Sequence, residues 1–300
     1  MTRPPALVPP ARRRRALALA LAPALLALAC HGAEPVARLA SDTQELSLPH
    51  GRHAGLRLRW EPLQDQVPGT VPVVFLHLLD AQRNIVRTFD HDLPSPWKNG
   101  QELADPVGIY HTALGPALPP GEYELTGGLY SGKKRFPLQV DDQKNPRKEY
   151  TLAKVTVPDA AGGPGFTFSP EWLPVEPGGD RQTVAWRWLS GDGSIEVHGM
   201  PPGGRLWLVL RLPKVEPPLR LVLEPEATTP MAVVKQDCGG FAATVTGDGF
   251  HELTVPVPAP SCRISFDTNF TVVEVGRGRK LSVRLEQLGW DVAPGTAPGP

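Results

Sequence analysis

Apolar and polar residues alternate along most of the chain with a period of two, the pattern of β-strands. Leu56, Leu58 and Trp60 alternate with arginines, and residues 71–79 are apolar at nearly every position, as in a strand buried on both faces. Short runs of this kind recur to residue 285, separated by turn sequences such as Asp192-Gly193. After the first thirty residues no stretch carries a helical apolar stripe. The pattern predicts an all-β protein.

Proline and glycine separate these short elements. The chain has 300 residues, with 36 Pro and 30 Gly in no regular period. Strands at this spacing are typical of sandwiches. We therefore expect two β-sandwich domains in tandem, an Ig-like Greek-key domain at 46–157 and a jelly-roll-like domain at 166–292. A linker rich in small residues at 158–165 joins them, and the tail at 293–300 is expected to be disordered.

The first thirty residues have the pattern of an export signal. Four arginines at 12–15 precede an uncharged run at 16–29, which is shorter than the roughly 20 residues that a membrane-spanning helix needs. The run ends in "LLALAC", which resembles the lipobox of bacterial lipoproteins. The resemblance implies a cleaved signal peptide at 1–29, acylation of Cys30 with palmitate-type chains, and a lipidated tether at 30–45. His31 after the cysteine implies the outer membrane, facing the periplasm or the cell surface. Ordinary secretion and an uncleaved membrane helix are the alternatives.

Two further cysteines, Cys238 and Cys262, remain for an exported chain. Export places them in a compartment that permits disulfides. A bridge between them would close a loop of about 25 residues and contribute about 3 kcal/mol to stability. A zinc or thiol site is the alternative, but neither a CxxC motif nor a nearby histidine pair supports it.

The charge balance argues against nucleic acid as a partner. Lysine plus arginine and aspartate plus glutamate both number 31. Nucleic-acid-binding domains normally carry a basic surplus. We expect no nucleic-acid partner.

The stretch "LPPGEYELTGGLYSGKKR" at 118–135 combines glycines with a basic tip. A phosphate-binding loop would lead into a helix, whereas here a strand pattern follows. Pro120, Gly121 and Tyr123 have the spacing of a tyrosine corner, in which the tyrosine hydroxyl bonds to nearby backbone. We interpret 131–133 as a hairpin turn with charged residues at its end.

Residues 56–140 carry a wider series of matching positions, namely His77, Asp80, Asp90, Trp97, Gly100, Pro120, Gly121, Tyr123, Gly128, Leu129, Tyr130, Arg135 and Pro137. This series resembles a β-sandwich accessory domain found beside bacterial membrane glycosyltransferases. The resemblance implies a sandwich in the cell envelope and no defined activity. Residues 166–292 are more loosely similar to the jelly rolls of carbohydrate-binding modules, although "RGRKL" at 277–281 departs from their pattern.

Three places carry ligand-binding chemistry. Asp90, His91 and Asp92 could supply oxygen ligands to calcium, or form a solvated turn. Trp97 in "SPWKNG" could stack on a sugar or be a structural element. His77, in a strand buried on both faces, is expected to be a hydrogen-bonded core histidine.

Motifs for catalysis are missing from the sequence. It has neither G-x-S-x-G nor H-E-x-x-H, and no free thiol remains if the two cysteines pair. We expect a non-enzymatic, lipid-anchored envelope protein that binds a glycan or another envelope protein, without cofactor or metal. A structural scaffold and a hydrolase with an unrecognised site are the alternatives. Glycan binding predicts aromatics beside Asp, Asn or Arg in a groove, a scaffold predicts an apolar patch or free edge strand, and an enzyme predicts a pocket of convergent titratable groups.

Overall fold

A computed structural model describes residues 33–66, 69–141, 143–159, 162–178, 184–214 and 219–292. Within these ranges the backbone forms strands and no helix, which confirms the all-β prediction. Consequently the described residues contain no helix that could cross a membrane. The predicted signal peptide, Cys30 and the tail at 293–300 lie outside the described residues.

The first half of the chain contains ten strands in its described residues: β1 (Ala37–Ser41), β2 (Glu45–Ser47), β3 (Arg52–Pro62), β4 (Val73–Leu79), β5 (Ile85–Thr88), β6 (His91–Asp92), β7 (Leu103–His111), β8 (Gly121–Ser131), β9 (Lys134–Phe136) and β10 (Tyr150–Val157). The described residues of the second half contain β11 (Gly165–Phe168), β12 (Glu176–Pro177), β13 (Ala185–Trp188), β14 (Gly193–His198), β15 (Gly204–Leu212), β16 (Leu219–Leu223), β17 (Met231–Gln236), β18 (Ala242–Thr246), β19 (Gly249–Pro256), β20 (Ser261–Thr268), β21 (Phe270–Glu274), β22 (Lys280–Leu281) and β23 (Arg284–Val292).

Two sheets enclose the core of the first half. One has the order β2-β10-β8-β4-β5, with β6 beside β4 and β9 beside β8. Facing it, β3 pairs with β1 and β7. Alternate residues of β3 and β4 meet in one hydrophobic cluster, among them Leu56, Leu58, Trp60, Val74, Leu76 and Leu78. The period-two pattern therefore marks the buried faces correctly.

A second hydrophobic cluster fills the other half. It lies between the sheet β11-β14-β20-β17-β18 and the strands β13, β23, β15 and β19, with β16-β21-β22 as a small third sheet. Its members include Leu206, Leu208, Leu210, Val234, Ile264 and Phe266. Leu114 of the first half also packs in this cluster, so the cores are not divided strictly by chain position.

Hydrogen bonds join the two halves into one eight-stranded sheet. β23 runs parallel to β3 where Trp290 meets Arg52. Nearby, the Trp290 amide donates to Gly51 O at 2.7 Å, and the Ala113 amide donates to Leu288 O at 2.8 Å. Strands from both predicted domains therefore share a sheet.

An aromatic stack crosses the same junction. The Trp207 ring of β15 lies 4.8 Å from the His53 ring and 4.9 Å from the Tyr110 ring, measured between centroids. Phe89 packs edge-on against Tyr110 at 5.1 Å. Two strands of the first half, β3 and β7, thus contact β15 of the second, and Phe89 supports Tyr110 from behind.

Part of the segment predicted as a tether, 30–45, forms a strand. Residues 37–41 form β1, which pairs with β3 from Ala37↔Pro62 to Ser41↔Leu58. Ala37 and Leu39 are buried in the first core. These two buried residues are too few to form a recognisable alternation in the sequence. They belong to a buried face only because β1 pairs with β3.

Two local predictions have direct counterparts in the structure. Cys238 and Cys262 form a disulfide with Cα atoms 5.5 Å apart, which confirms the predicted bridge. It joins the turn after β17 to the start of β20. The Tyr123 hydroxyl donates to Pro119 O at 2.7 Å, the contact expected of a tyrosine corner, and Gly121 has a φ of +152° at the preceding turn.

Candidate functional site

A groove of about 600 Å³ opens where the two halves meet. Its first wall is the segment 89–91 with part of β7, and its second wall is the outer face of β13, β15, β19 and β23. A volume of this size is typical of small-molecule sites. We refer to this cavity as the groove.

Strand alternation places the side chains of the second wall. The face of β15 that bears Leu208, Leu210 and Leu212 packs in the core, so Val209 and Arg211 point to the groove. Arg211 has Phe250 of β19 as one cross-strand neighbour and Arg284 of β23 as the other. The three side chains therefore form a row across the sheet.

Exposed aromatic surface is the most unusual property of this wall. Phe250 is 60% exposed, and the Arg211 guanidinium lies 4.9 Å from its ring centroid. Trp186 is half-buried, with the Arg284 guanidinium 4.8 Å from its ring. Tyr110 contributes a third ring from the opposite wall. Such ring faces are suited to stacking on apolar faces of a ligand.

Charged groups line the groove beside these rings. Arg284 bonds to Glu286, whose side chain is 1% exposed, and Arg211 lies 4.0 Å from the same carboxylate. Glu252 is exposed at the rim. The groove thus presents cations and carboxylates side by side, with the two arginines held in place by ring and ion-pair contacts.

His91 in the first wall is held by two oxygen atoms. Its Nε2 lies 3.0 Å from Asp105 Oδ2, and its Nδ1 lies 3.0 Å from Phe89 O. Asp105 also accepts a hydrogen bond from the Trp60 indole at 3.0 Å. Burial lowers the pKa of His91, but the hydrogen bond and charge of Asp105 more than offset burial, so its pKa is raised. Both ring nitrogens face acceptors, which favours the imidazolium form.

The three residues considered as calcium ligands, Asp90, His91 and Asp92, do not all line the groove. Asp90 and His91 line the groove, whereas Asp92 is exposed on β6 and does not. Asp90 accepts a hydrogen bond from the Leu76 amide at 3.3 Å, and burial raises its pKa. In the described part of the chain, the one group of three potential ligand atoms within 4.8 Å is Asp237, Cys238 and Cys262, whose cysteines are joined in the disulfide.

Trp97 is not placed to stack on a sugar. Its side chain is 9% exposed and belongs to the first core. The indole donates to Gln64 O at 3.0 Å. This geometry favours the structural alternative, in which Trp97 anchors its loop to the β3–β4 connection.

His77 lies in a polar cluster on the outer face of the first half. Its Nδ1 is 3.3 Å from Glu149 Oε1, which also accepts from Thr126 Oγ1 at 2.8 Å, while Glu149 Oε2 accepts from Arg135 at 3.0 Å. The hydrogen bond from His77 is the main cause that lowers the pKa of Glu149 to about 2, although burial opposes it. His77 is 8% exposed and hydrogen-bonded, but it lies on the face of β4 opposite to the core residues Leu76 and Leu78.

A second cavity of about 250 Å³ lies beside this cluster. We call it the Lys133 cavity. Its lining includes Phe75, Tyr130, Lys133 and Arg135, and also Asp90. Asp90 therefore lines both cavities, which makes them neighbours.

Most residues of the groove were missed by sequence reasoning. Arg211, Phe250 and Arg284 lie on the solvent-facing positions of their strands, where polar residues are expected. An aromatic residue such as Phe250 on a polar face was the available signal.

Comparisons with known proteins add little. No protein-family model and no curated protein matches the chain. Among solved structures, it is similar to the secreted serine protease VesC from Vibrio cholerae, with 10% identity over 85% of this chain and 51% of that chain and a TM-score of 0.25. It is similar to E. coli alpha-2-macroglobulin in its native conformation, with 16% identity over 85% of this chain and 14% of that chain and a TM-score of 0.23.

A third similar structure is CBD12 from CALX1.2, with 11% identity over 87% of this chain and 83% of that chain and a TM-score of 0.21. The chain thus spans about half the length of VesC and a seventh of the macroglobulin. At TM-scores of this size the similarities support no inference about fold or function.

Proposed function

We propose that the protein is a lipid-anchored, non-enzymatic binding protein of the cell envelope, and that it binds a glycan in the groove. The observation that carries the proposal is the exposed Phe250 ring with Arg211 stacked on it, beside Trp186 and Tyr110. Sugar rings combine apolar faces with hydroxyl groups at their edges. A wall of aromatic faces next to guanidinium and carboxylate groups is complementary to both.

The partners of the titratable groups support a binding role over hydrolysis. A general base needs a lone pair that faces the substrate. Both nitrogens of His91 instead contact protein oxygens, and Glu286 is ion-paired with Arg284. His91 and Glu286 are therefore held as fixed hydrogen-bonding partners. Hydrolysis of a bound glycan, measured as the release of reducing ends, would contradict this part of the proposal.

A protein partner is the second candidate. Within the described residues β19 pairs with β15 alone, so its other edge and the exposed Phe250 lie side by side. Edge strands of this kind can accept a strand from another chain. A scaffold role would use this edge instead of the groove.

A glycan array with the mature protein in detergent tests the proposed function. We expect binding to a restricted group of oligosaccharides. If the array shows no binding and crosslinking in the same cell envelope recovers one partner protein, the glycan proposal is overturned in favour of a scaffold role.

The proposed anchoring and two-domain organisation rest on the sequence pattern at Cys30 and on the two hydrophobic clusters. Mass spectrometry of the mature N-terminus should find an acylated Cys30. Fractionation should place the protein in the outer membrane. An unmodified N-terminus at another residue would contradict the lipoprotein proposal.

A further inference from the structure

The groove does not end at the segment 89–91. Asp90 is half-exposed there and lines both the groove and the Lys133 cavity. A ligand that follows this surface passes from Phe250, over Asp90, to Lys133. The available binding surface is therefore longer than the groove alone.

The far cavity has fixed walls. Phe75 is 1% exposed, and the Arg135 guanidinium lies 4.4 Å from its ring centroid. Arg135 is held by Glu149 at 3.0 Å and by Arg147 O at 3.2 Å. Tyr130 packs 6.1 Å from Phe75, ring to ring. Walls that are ordered before binding reduce the entropic cost of holding a ligand.

Among the described residues, Lys133 is the cation of this cavity without a salt bridge, and the Asp90 carboxylate lines the same cavity. Arg135 is already paired with Glu149, and no salt bridge to Lys133 occurs among the described residues. Lys133 is exposed at the tip of the hairpin, beside Gly132, whose φ is +59°. Because Lys133 is exposed, a ligand can reach its ammonium group. A lysine ammonium binds carboxylate and phosphate groups as a point charge.

From this geometry we infer that the ligand is an acidic oligosaccharide that spans both cavities, with neutral sugar faces against the groove aromatics and a carboxylate- or phosphate-bearing unit at Lys133. The inference rests on the proposed function and adds the class and the minimum extent of the ligand. It implies that affinity increases with chain length until the Lys133 cavity is filled, and that removal of the acidic groups removes this gain.

The test uses the mature protein and an array printed with acidic oligosaccharides of increasing length and with their carboxyl-reduced or dephosphorylated counterparts. We expect the strongest signals from long acidic chains. Lys133→Ala should weaken binding of these chains about tenfold, the effect of losing one charge-assisted contact, and leave short or neutral chains unchanged. Lys134→Ala is the matched control, since the adjacent Lys134 does not line the cavity and lies over Phe136 instead.

Failure of the inference differs from failure of the proposed function. Equal binding of short, neutral and acidic chains, or an equal effect of Lys133→Ala and Lys134→Ala, would overturn the extended acidic ligand while glycan binding in the groove stands. Absence of any glycan signal would overturn both. Tyr130→Phe gives an independent check of the far cavity, since it removes one hydroxyl from the wall without a charge change, and it should weaken long chains alone.

Discussion

Two histidines, His91 half-buried and His111 buried, show how partner atoms decide a protonation state. His91 faces two acceptors, Asp105 and Phe89 O, and its pKa is raised. His111 instead accepts a hydrogen bond from the Leu118 amide at Nε2, while Nδ1 lies 3.2 Å from Leu48 O. One nitrogen of His111 must therefore stay unprotonated, and burial lowers its pKa to about 4. The same residue type is favoured as a cation in one place and as a neutral ring in the other.

This contrast predicts a stability maximum near neutral pH. The contribution of His91 is complete below the ordinary histidine pKa and is lost as pH rises through its raised folded-state value. The contribution of His111 is complete above about 6.5 and is lost as pH falls towards about 4. Urea unfolding across this range should show the free energy of unfolding decreasing on both sides.

Two variants separate the two sides of the pH profile. His91→Gln should reduce the slope of the alkaline side. His111→Gln should reduce the slope of the upper part of the acidic side, to which His53, whose pKa burial also lowers, continues to contribute. Below about pH 4.5 the loss of Glu149, with its pKa of about 2, continues in both variants. An unchanged alkaline side in His91→Gln would show that His91 is not protonated in the folded protein.

At the scale of strands, the sequence predicted the features that depend on the residues of one strand alone. Period-two alternation identified the core face of β3, and the continuous apolar run at 71–79 identified β4 as a strand buried on both faces. Alternation failed for β1 and for Phe250, because both depend on a neighbouring strand. Ala37–Leu39 can be recognised as a strand only once its register with β3 is known. Phe250 can be recognised as part of the groove only once its position beside Arg211 is known.

The disulfide acts at this scale because it ties the end of β17 to β20. Cys262 is 3% exposed whereas Cys238 is half-buried, so a reductant should reach the bridge of the folded protein from the Cys238 side. The double variant Cys238→Ser, Cys262→Ser should lose about 3 kcal/mol of unfolding free energy and keep its strand content. Urea titration with circular dichroism measures both. Reductant should destabilise the native protein under unfolding conditions and leave the double variant unaffected; an equal response of the two would contradict the prediction.

At the scale of the whole molecule, the groove exists because the halves pack together. Its two walls come from different hydrophobic clusters, joined by β3, β23 and the stack of Trp207 on His53 and Tyr110. Sequence reasoning treated each half as an independent sandwich and placed binding residues within single loops. Contacts between strands far apart in the chain leave no periodic signal, so this junction could not be predicted.

Trp207 is the residue to test for coupling between the halves. Trp207→Ala should cost about 3–5 kcal/mol and split thermal unfolding into two transitions, since the halves lose their shared aromatic contact. Trp172→Ala is the control, because Trp172 is buried to a similar degree (4% against 5% exposed) but packs within the second cluster alone. Calorimetry should show one broadened or shifted transition for the control. Two transitions in the native protein, or one in Trp207→Ala, would contradict coupling through this residue.

Glycan binding in the groove, the central proposal, is tested most directly by titration calorimetry of the strongest array ligand against Phe250→Ala. Val275→Ala is the matched control, because Val275 is 62% exposed, close to the 60% of Phe250, and lies away from the groove. Loss of one stacking ring should weaken binding by about tenfold or more, whereas the control should bind as the native protein does. Equal affinity of Phe250→Ala and the native protein would contradict the account.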